Sequence, residues 1–370
     1  MADDEYALRW FEPGDREAFV SLYDDAFGGG SDEWFDWKYV QNPRVSHVPI
    51  LVAERVSDGA FAGARPQVPF LFRVGGEDVL GLRFGDTMVH PDHRRRGVFT
   101  RLAERALDHY ASMPTRFCFN CPNDKSRPGF LKAGGEVIAH LPSFYRVQNP
   151  ARVAGATRDG VTGAVLGRLA APAADGYLGA RDRLAGRQAD VAVTRHHEVP
   201  VGALADAYER GAPDGVHAVR DEAFLDWRYD NPNWTYEAYT ASAGGDRIAA
   251  VVTGRQTDAD GVTTTNVVDA LPLTGDDRRA AGLEALLGAV TDDHADADLL
   301  GYCGTAIPRR VLRAHGFHFD GVPPLSWVTS PTKLVAYDLA GDGDTAWQAT
   351  GLDLRDGRNW ALSYAELDAR

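Results

Sequence analysis

The sequence predicts a mixed α/β fold, sheets flanked by helices, laid down twice along one chain. Residues 33–43 read Glu-Trp-Phe-Asp-Trp-Lys-Tyr-Val-Gln-Asn-Pro and residues 222–232 read Glu-Ala-Phe-Leu-Asp-Trp-Arg-Tyr-Asp-Asn-Pro, so an aromatic residue, Asp-Trp, a cation, Tyr and Asn-Pro recur in order. Downstream, Phe130-Leu-Lys-Ala-Gly-Gly135 returns as Val311-Leu-Arg-Ala-His-Gly-Phe317. Both repeats sit about 180 to 190 positions apart, which means duplicated domains, because solenoid repeats run only about 20 to 50 residues. The length of 370 residues also exceeds what one hydrophobic core usually organises.

Each element follows from local signals. A strand near Tyr6–Phe11 precedes a helix from Asp15 to Phe27, with Pro13 near its start and Gly28-Gly-Gly30 stopping it. A second helix carries Trp34–Tyr39. Residues 49–57 and 61–73 read as strands, Gly75-Gly-Glu-Asp78 as a turn, and Val79–Val89 as one longer strand. From Val98 to Ser112 the apolar residues Phe99, Leu102, Ala103, Ala106, Leu107 and Tyr110 fall on one helical face. Arg116–Cys121 is a strand, Ser126–Ala133 a short helix and Val137–Val147 a strand. The expected domains are therefore 1–150 and 190–340. Between them lies an Ala/Gly-rich connector at 151–189, with a weakly apolar helical stretch at Val161–Leu169, and a tail follows at 341–370.

Composition narrows the function classes. With 39 Lys+Arg against 53 Asp+Glu the net charge is −14, which argues against a broad footprint for nucleic acid or anionic membrane. Only Lys38, Lys125, Lys132 and Lys333 are lysines. A surface of Arg and Asp with this excess of acid fits a salt-rich, halophilic cytoplasm, where screening removes the self-repulsion. No basic or apolar leader pattern opens the chain and no long apolar span interrupts it, so a soluble cytoplasmic protein is expected. Cys118, Cys121 and Cys303 are too few for a disulfide framework. Cys118 and Cys121 read as strand residues on opposite faces, and no metal is expected. His196 and His197 lack a spaced carboxylate partner.

The chemistry-bearing stretch is Asp86-Thr-Met-Val-His-Pro-Asp-His-Arg-Arg-Arg-Gly-Val-Phe-Thr100, between an apolar strand and the amphipathic helix. A strand, a basic turn with glycine and a helix make a phosphate cradle: unpaired N–H groups and the positive helix end converge where Gly97 lets a ligand approach.

That stretch resembles the acetyl-CoA signature of the GNAT N-acetyltransferase superfamily, Arg/Gln-x-x-Gly-x-Gly/Ala after a V-x-P strand end. Asn123-Asp-Lys-Ser126 followed by Phe130-Leu-Lys-Ala-Gly134 resembles the superfamily's later segment. The tandem arrangement is similar to that of the Eis-type acetyltransferases, without their third domain. The resemblance implies acetyl-CoA, or another acyl-CoA, as co-substrate and direct attack by an amine. Main-chain groups at Met88, Val89 and His90 would hold the pantetheine arm, and the N–H groups of Arg95, Arg96, Gly97, Val98 and Phe99 the pyrophosphate. Arg94 would fix the loop, and Asn123 would bond cofactor or water, with Ser126 beside it. Two departures stand out: Phe99 occupies a position usually Gly or Ala, and Phe130 replaces the family's proton-donating Tyr. In the second copy Asp276 and Asp277 would repel a pyrophosphate, so that copy is expected to be degenerate and non-catalytic.

Acyl transfer from a protonated amine needs a base. Asp86 is the first candidate, sharing a strand face with Leu82, Phe84 and Met88 if alternation holds. His90 titrates in the right range, and Tyr145 is the candidate acid. Trp34, Trp37 and Tyr39 read as core, since their counterparts recur in the copy without the cradle. The expected function is CoA-dependent N-acyl transfer to a small-molecule or peptide amine. The alternative is a CoA-binding regulatory or scaffold protein, and aminoacyl transfer without CoA is disfavoured by the intact cradle.

Overall fold

The computed structural model describes residues 5–157, 176–179, 181, 190–323, 325–327, 329–339 and 347–367, so the stretch Val161–Leu169 lies outside the described residues. Strand β1 (Tyr6–Trp10) leads through the Pro13–Asp15 turn into helix α1 (Arg16–Phe27), which stops where Gly28 takes a φ of 75°. Helix α2 (Asp32–Phe35) starts with the Ser31 hydroxyl accepting from Trp34 N, then widens into a π-wound turn over Asp36–Val40. The wider turn brings Trp37, Lys38 and Tyr39 inward, all three buried.

Strands β2 (Ile50–Arg55), β3 (Phe61–Val74) and β4 (Glu77–Phe84) are antiparallel neighbours. The strand expected to run from Val79 to Val89 ends at Phe84 instead. Asp86 takes a φ of 51°, a left-handed conformation that breaks a ladder, and Met88–Val89 resume as β5 against Ala64 and Gly63 of β3. This close approach requires glycine: a Cβ on Gly63 would stand 2.5 Å from Met88 O. Helix α3 (Val98–Ala111) crosses to β6 (Thr115–Asn120), which runs parallel to β4, and α4 (Arg127–Lys132) leads to β7 (Glu136–Leu141).

The stretch read as one strand over Val137–Val147 is two, broken at Pro142. Strand β8 (Ser143–Val147) leaves for the other sheet. The second copy then supplies β9 (Ala192–His196), β10 (His217–Ala218), β11 (Thr235–Ala243), β12 (Asp246–Thr257), β13 (Thr263–Leu271), β14 (Leu299–Cys303), β15 (His318–Phe319) and β16 (Thr332–Asp338). The first sheet runs β1-β2-β3-β4-β6-β16-β7, with β5 and β10 beside β3, and the second runs β15-β8-β14-β13-β12-β11-β9. The copies have exchanged a strand: β8 sits between β14 and β15, and β16 between β6 and β7. The cause is local. A hairpin needs about two residues to reverse the chain, and Pro142 alone separates β7 from β8, so the chain runs straight on. No single cut therefore separates the two sheets, and the segments 1–150 and 190–340 each lend the other a strand.

The repeated motifs meet face to face. Trp37 Nε1 donates to Trp227 O at 2.6 Å and Trp227 Nε1 to Trp37 O at 2.7 Å, with the rings stacked 13° from parallel. Such reciprocity is the mark of a two-fold interface. The segment read as a tail is packed inside: Trp360 lies against Phe117 and Phe119, and Glu366, fully buried, accepts from Arg220, Ala218 N and Ser363 N.

Candidate active site

At the N-terminus of α3, Gly97 caps the helix in the left-handed region, with a φ of 80°, and a Cβ there would meet nothing within 4 Å. The main chain is thus open to a ligand where the first helical N–H groups have no intrahelical acceptor. Arg95 is also left-handed, with a φ of 63°. Arg94 Nε donates to Val89 O at 3.0 Å, tying the turn to the edge of β5. Arg96 pairs with Glu5 at 2.6 Å. Arg95 has no acceptor among the described residues and remains available to a phosphate.

The turn forms one wall of a cleft of about 700 Å³, lined also by Thr87, Met88, Val89, His93, Val98, Phe99, Thr100, Asn123, Lys125 and Ser126. Asp25, Ala26 and Phe27, at the end of α1, close it from the side. Neither Lys125 nor this helix end was singled out in the sequence, where nothing local marks their approach to residues 87–100. Asn123 Oδ1 accepts from Lys125 N and Ser126 N at 3.1 and 2.9 Å, so it shapes the turn into α4 and leaves only its Nδ2 donor for a ligand. His93 is buried against Tyr6 Oη at 3.0 Å, and burial holds its pKa below the usual imidazole value.

Three expectations about the site require correction. Asp86 does not share a face with Leu82 and Phe84, because the kink turns it away from them. Its Oδ2 accepts from Lys38 Nζ at 2.6 Å and from Tyr39 Oη at 2.9 Å. Tyr145, expected on the first copy's last strand, stands on β8 in the second sheet opposite Gly301 and His318. It does not line the cleft, and burial raises its pKa. His90 is displaced too: its N–H is spent on Ala62 O, its carbonyl accepts from His93 N, and its Nδ1 accepts from Asp92 N. Of the pantetheine edge only Met88 and Val89 face the cleft.

Phe99 and Phe130 occupy the departures noted above. Their rings meet edge to face at 5.7 Å, and the Phe99 ring packs where a Cβ on Gly129 would come within 2.8 Å of it. Phe130 O accepts from Tyr337 Oη, a phenol carried in on the exchanged strand β16.

The corresponding helix N-terminus in the second copy is capped by a carboxylate, beside a cleft of about 740 Å³ lined also by Arg210, Arg247, Arg278 and Arg279. Helix Asp277–Asp293 is capped by Asp276, whose carboxylate accepts from Arg279 N. Arg279 is buried, with its guanidinium on Pro272 O, Leu273 O and Ala306 O. A carboxylate thus occupies the helix N-terminus where a phosphate would bind. His196 bonds Thr240 Oγ1 and His197 bonds Glu237, as separate pairs. Cys118 is buried on the α3 face of the first sheet, and Cys121 packs against the opposite core cluster.

Comparison with known proteins agrees with this geometry. Residues 7–135 match the family model of the acetyltransferase (GNAT) domain. No curated protein matches the chain significantly. Among solved structures, a GCN5-related N-acetyltransferase from Anabaena variabilis aligns over 90% of this chain and 73% of its own, with a TM-score of 0.60 at 10% identity. Eis1 from Mycobacterium abscessus aligns over 90% and 73%, with a TM-score of 0.52 at 15% identity. Saccharomyces cerevisiae N-myristoyltransferase aligns over 90% and 79%, with a TM-score of 0.59 at 10% identity. At such identities the likeness is one of fold. Residues 7–135 are accordingly a GNAT acetyltransferase domain, set in a fold of two GNAT-like units of which the first carries the family's sequence pattern.

Proposed function

We propose that the chain is an acyl-CoA-dependent N-acyltransferase with one working site, moving an acetyl or other acyl group to a primary amine of a small molecule or peptide. The observation that carries this reading is the contrast between the two helix N-termini. At Gly97 the main chain is open, while its counterpart is filled by Asp276. The α3 N–H groups and Arg95 would hold the pyrophosphate, Met88 and Val89 the pantetheine, and Asn123 Nδ2 a carbonyl or water. The amine nitrogen attacks the thioester carbon, the C–S bond breaks and the thiolate leaves. None of Asp86, His90 and Tyr145 lines the cleft, so the amine proton goes to water or to a group on the cleft wall such as Asp25, and the thiolate, whose thiol has a pKa near ~8.5, departs without a dedicated phenol.

Thiol release from acetyl-CoA over a panel of amines tests the activity, and calorimetric titration tests the site. One CoA should bind per chain, and Gly97→Asp should abolish binding, since a carboxylate there meets the pyrophosphate. Two equivalent sites, or unchanged affinity in the variant, would move the cofactor elsewhere. The absence of any acyl-acceptor product favours the second reading, a CoA-binding regulatory protein.

A further inference from the structure

Arg65, on β3, is fully buried and has no carboxylate partner among the described residues. Its Nη1 donates to Thr87 Oγ1 at 3.3 Å, while Nε and Nη2 find no acceptor. Aromatic rings surround it: Phe84 at 4.2 Å, Phe130 at 5.3 Å and Phe99 at 5.8 Å from the guanidinium carbon. The Tyr337 hydroxyl donates its proton to Phe130 O and turns its oxygen toward the guanidinium, a neutral acceptor that brings no charge. Burial lowers the Arg65 pKa to about 10, which leaves it protonated at neutral pH. Ring faces offset part of the cost of burying a guanidinium, but they cannot accept its in-plane N–H groups. The site is one anion short.

Its position says which anion. Thr87 and Phe99 belong both to the cleft wall and to the surroundings of Arg65. A ligand anchored by its phosphates at Gly97 and laid along Val89 and Met88 reaches Thr87 with its thioester end. We propose that Arg65 is a specificity-determining residue that receives a carboxylate at the far end of the acyl group, so that the preferred donor is the CoA thioester of a dicarboxylic acid. Rotation of the Phe99 ring off Gly129 opens the cleft to the guanidinium, and Nε and Nη2 then take the two carboxylate oxygens as a bidentate pair. This inference rests on the acyl-CoA reading above.

Calorimetry with free CoA, succinyl-CoA and butyryl-CoA tests it, the last having a methyl group in place of the carboxylate. Wild type should bind succinyl-CoA at least about tenfold more tightly than butyryl-CoA. Arg65→Met should bring the two together without changing the affinity for free CoA. Its ligand-free Tm should be no lower than wild type, because exchanging an unpaired buried charge for an apolar side chain is neutral or stabilising. Arg65→Lys, which keeps the charge but not the fork, should retain a smaller preference. Equal wild-type affinities, a preference that survives Arg65→Met, or a Met variant that melts far below wild type would each show that Arg65 is a structural cation. Failure of all three ligands to bind would instead remove the acyltransferase reading, and this inference with it.

Discussion

Asp86 shows how a residue chosen for chemistry can serve architecture. Its carboxylate joins Lys38, buried among the rings of Tyr23, Trp34 and Tyr39, to the kink from which Thr87, Met88 and Val89 enter the cleft wall. The second copy repeats the tyrosine half of the arrangement, Asp269 accepting from Tyr229 Oη at 3.3 Å, while the cation comes from Arg220, whose Nε donates at 3.1 Å, and Arg228, the counterpart of Lys38, turns to Ala365 O and Tyr364 O. The recurrence of a tyrosine-bound carboxylate where no cofactor turn exists argues for a positioning role. Asp86→Asn removes from the core the carboxylate to which Lys38 Nζ donates, a loss of about 3–5 kcal/mol. The expected outcome is a large fall in Tm, with turnover per folded molecule within a few-fold of wild type. A fall in turnover of about a hundredfold at unchanged Tm would make Asp86 the base after all.

At the scale of elements, β10 ties the copies together, since His217 and Ala218 pair with Arg73 and Phe72 of β3. His217 bonds Gly215 O through Nδ1 at 2.8 Å and Tyr208 Oη through Nε2 at 3.0 Å. With Nδ1 donating to the carbonyl, Nε2 accepts from the phenol and the ring is neutral. Burial first, then Arg220, lowers its pKa to about 4, with Arg73 acting the same way and Asp269 opposing. Above pH ~6.5 the ring is neutral folded or unfolded and costs nothing; as pH falls toward 4 the unfolded chain takes up a proton that the fold refuses. The stability lost across this window is on the order of 3 kcal/mol. Thermal melts should therefore fall more steeply between pH 6.5 and 4 in wild type than in His217→Gln, and parallel curves would remove the assignment. The same scale shows what the sequence made legible. Helix α3, the Gly28 stop and the turn at Gly97 were readable because periodicity and glycine act locally. The kink at Asp86 was not, because alternation carries a strand through any residue that could also break it. Nor was the burial of residues 360–367, whose partner Arg220 lies 146 positions from Glu366.

At the scale of the whole molecule, charge and topology set separate conditions for folding. The net charge of −14 leaves an excess of acid after the surface pairs, such as Arg16–Asp32 and Arg255–Asp296, are counted. Added salt weakens those pairs, which are each worth at most about 1 kcal/mol, but it also screens the larger repulsion of the unpaired excess. Tm should rise from low to molar KCl, and a flat or falling curve would remove the high-salt reading of the composition. Topology makes the stronger demand. Without β16 the first sheet has an empty slot between β6 and β7, where Val335–Asp338 pair with Phe117–Asn120 on one side and Thr332–Ala336 with Glu136–Leu141 on the other. Without β8 the second sheet lacks the partner of both β14 and β15. Unpaired edges inside a sheet leave backbone groups unsatisfied and open to pairing with other chains. Fragments 1–157 and 190–370 should therefore each aggregate or unfold without cooperativity when produced alone. Produced together, they should form a one-to-one complex that regains CoA binding. The decisive measurement is the thermal melt and CoA titration of fragment 1–157 by itself. A soluble monomer with a sharp transition and wild-type affinity would mean that the exchanged strand is dispensable and that the first copy folds as an independent domain.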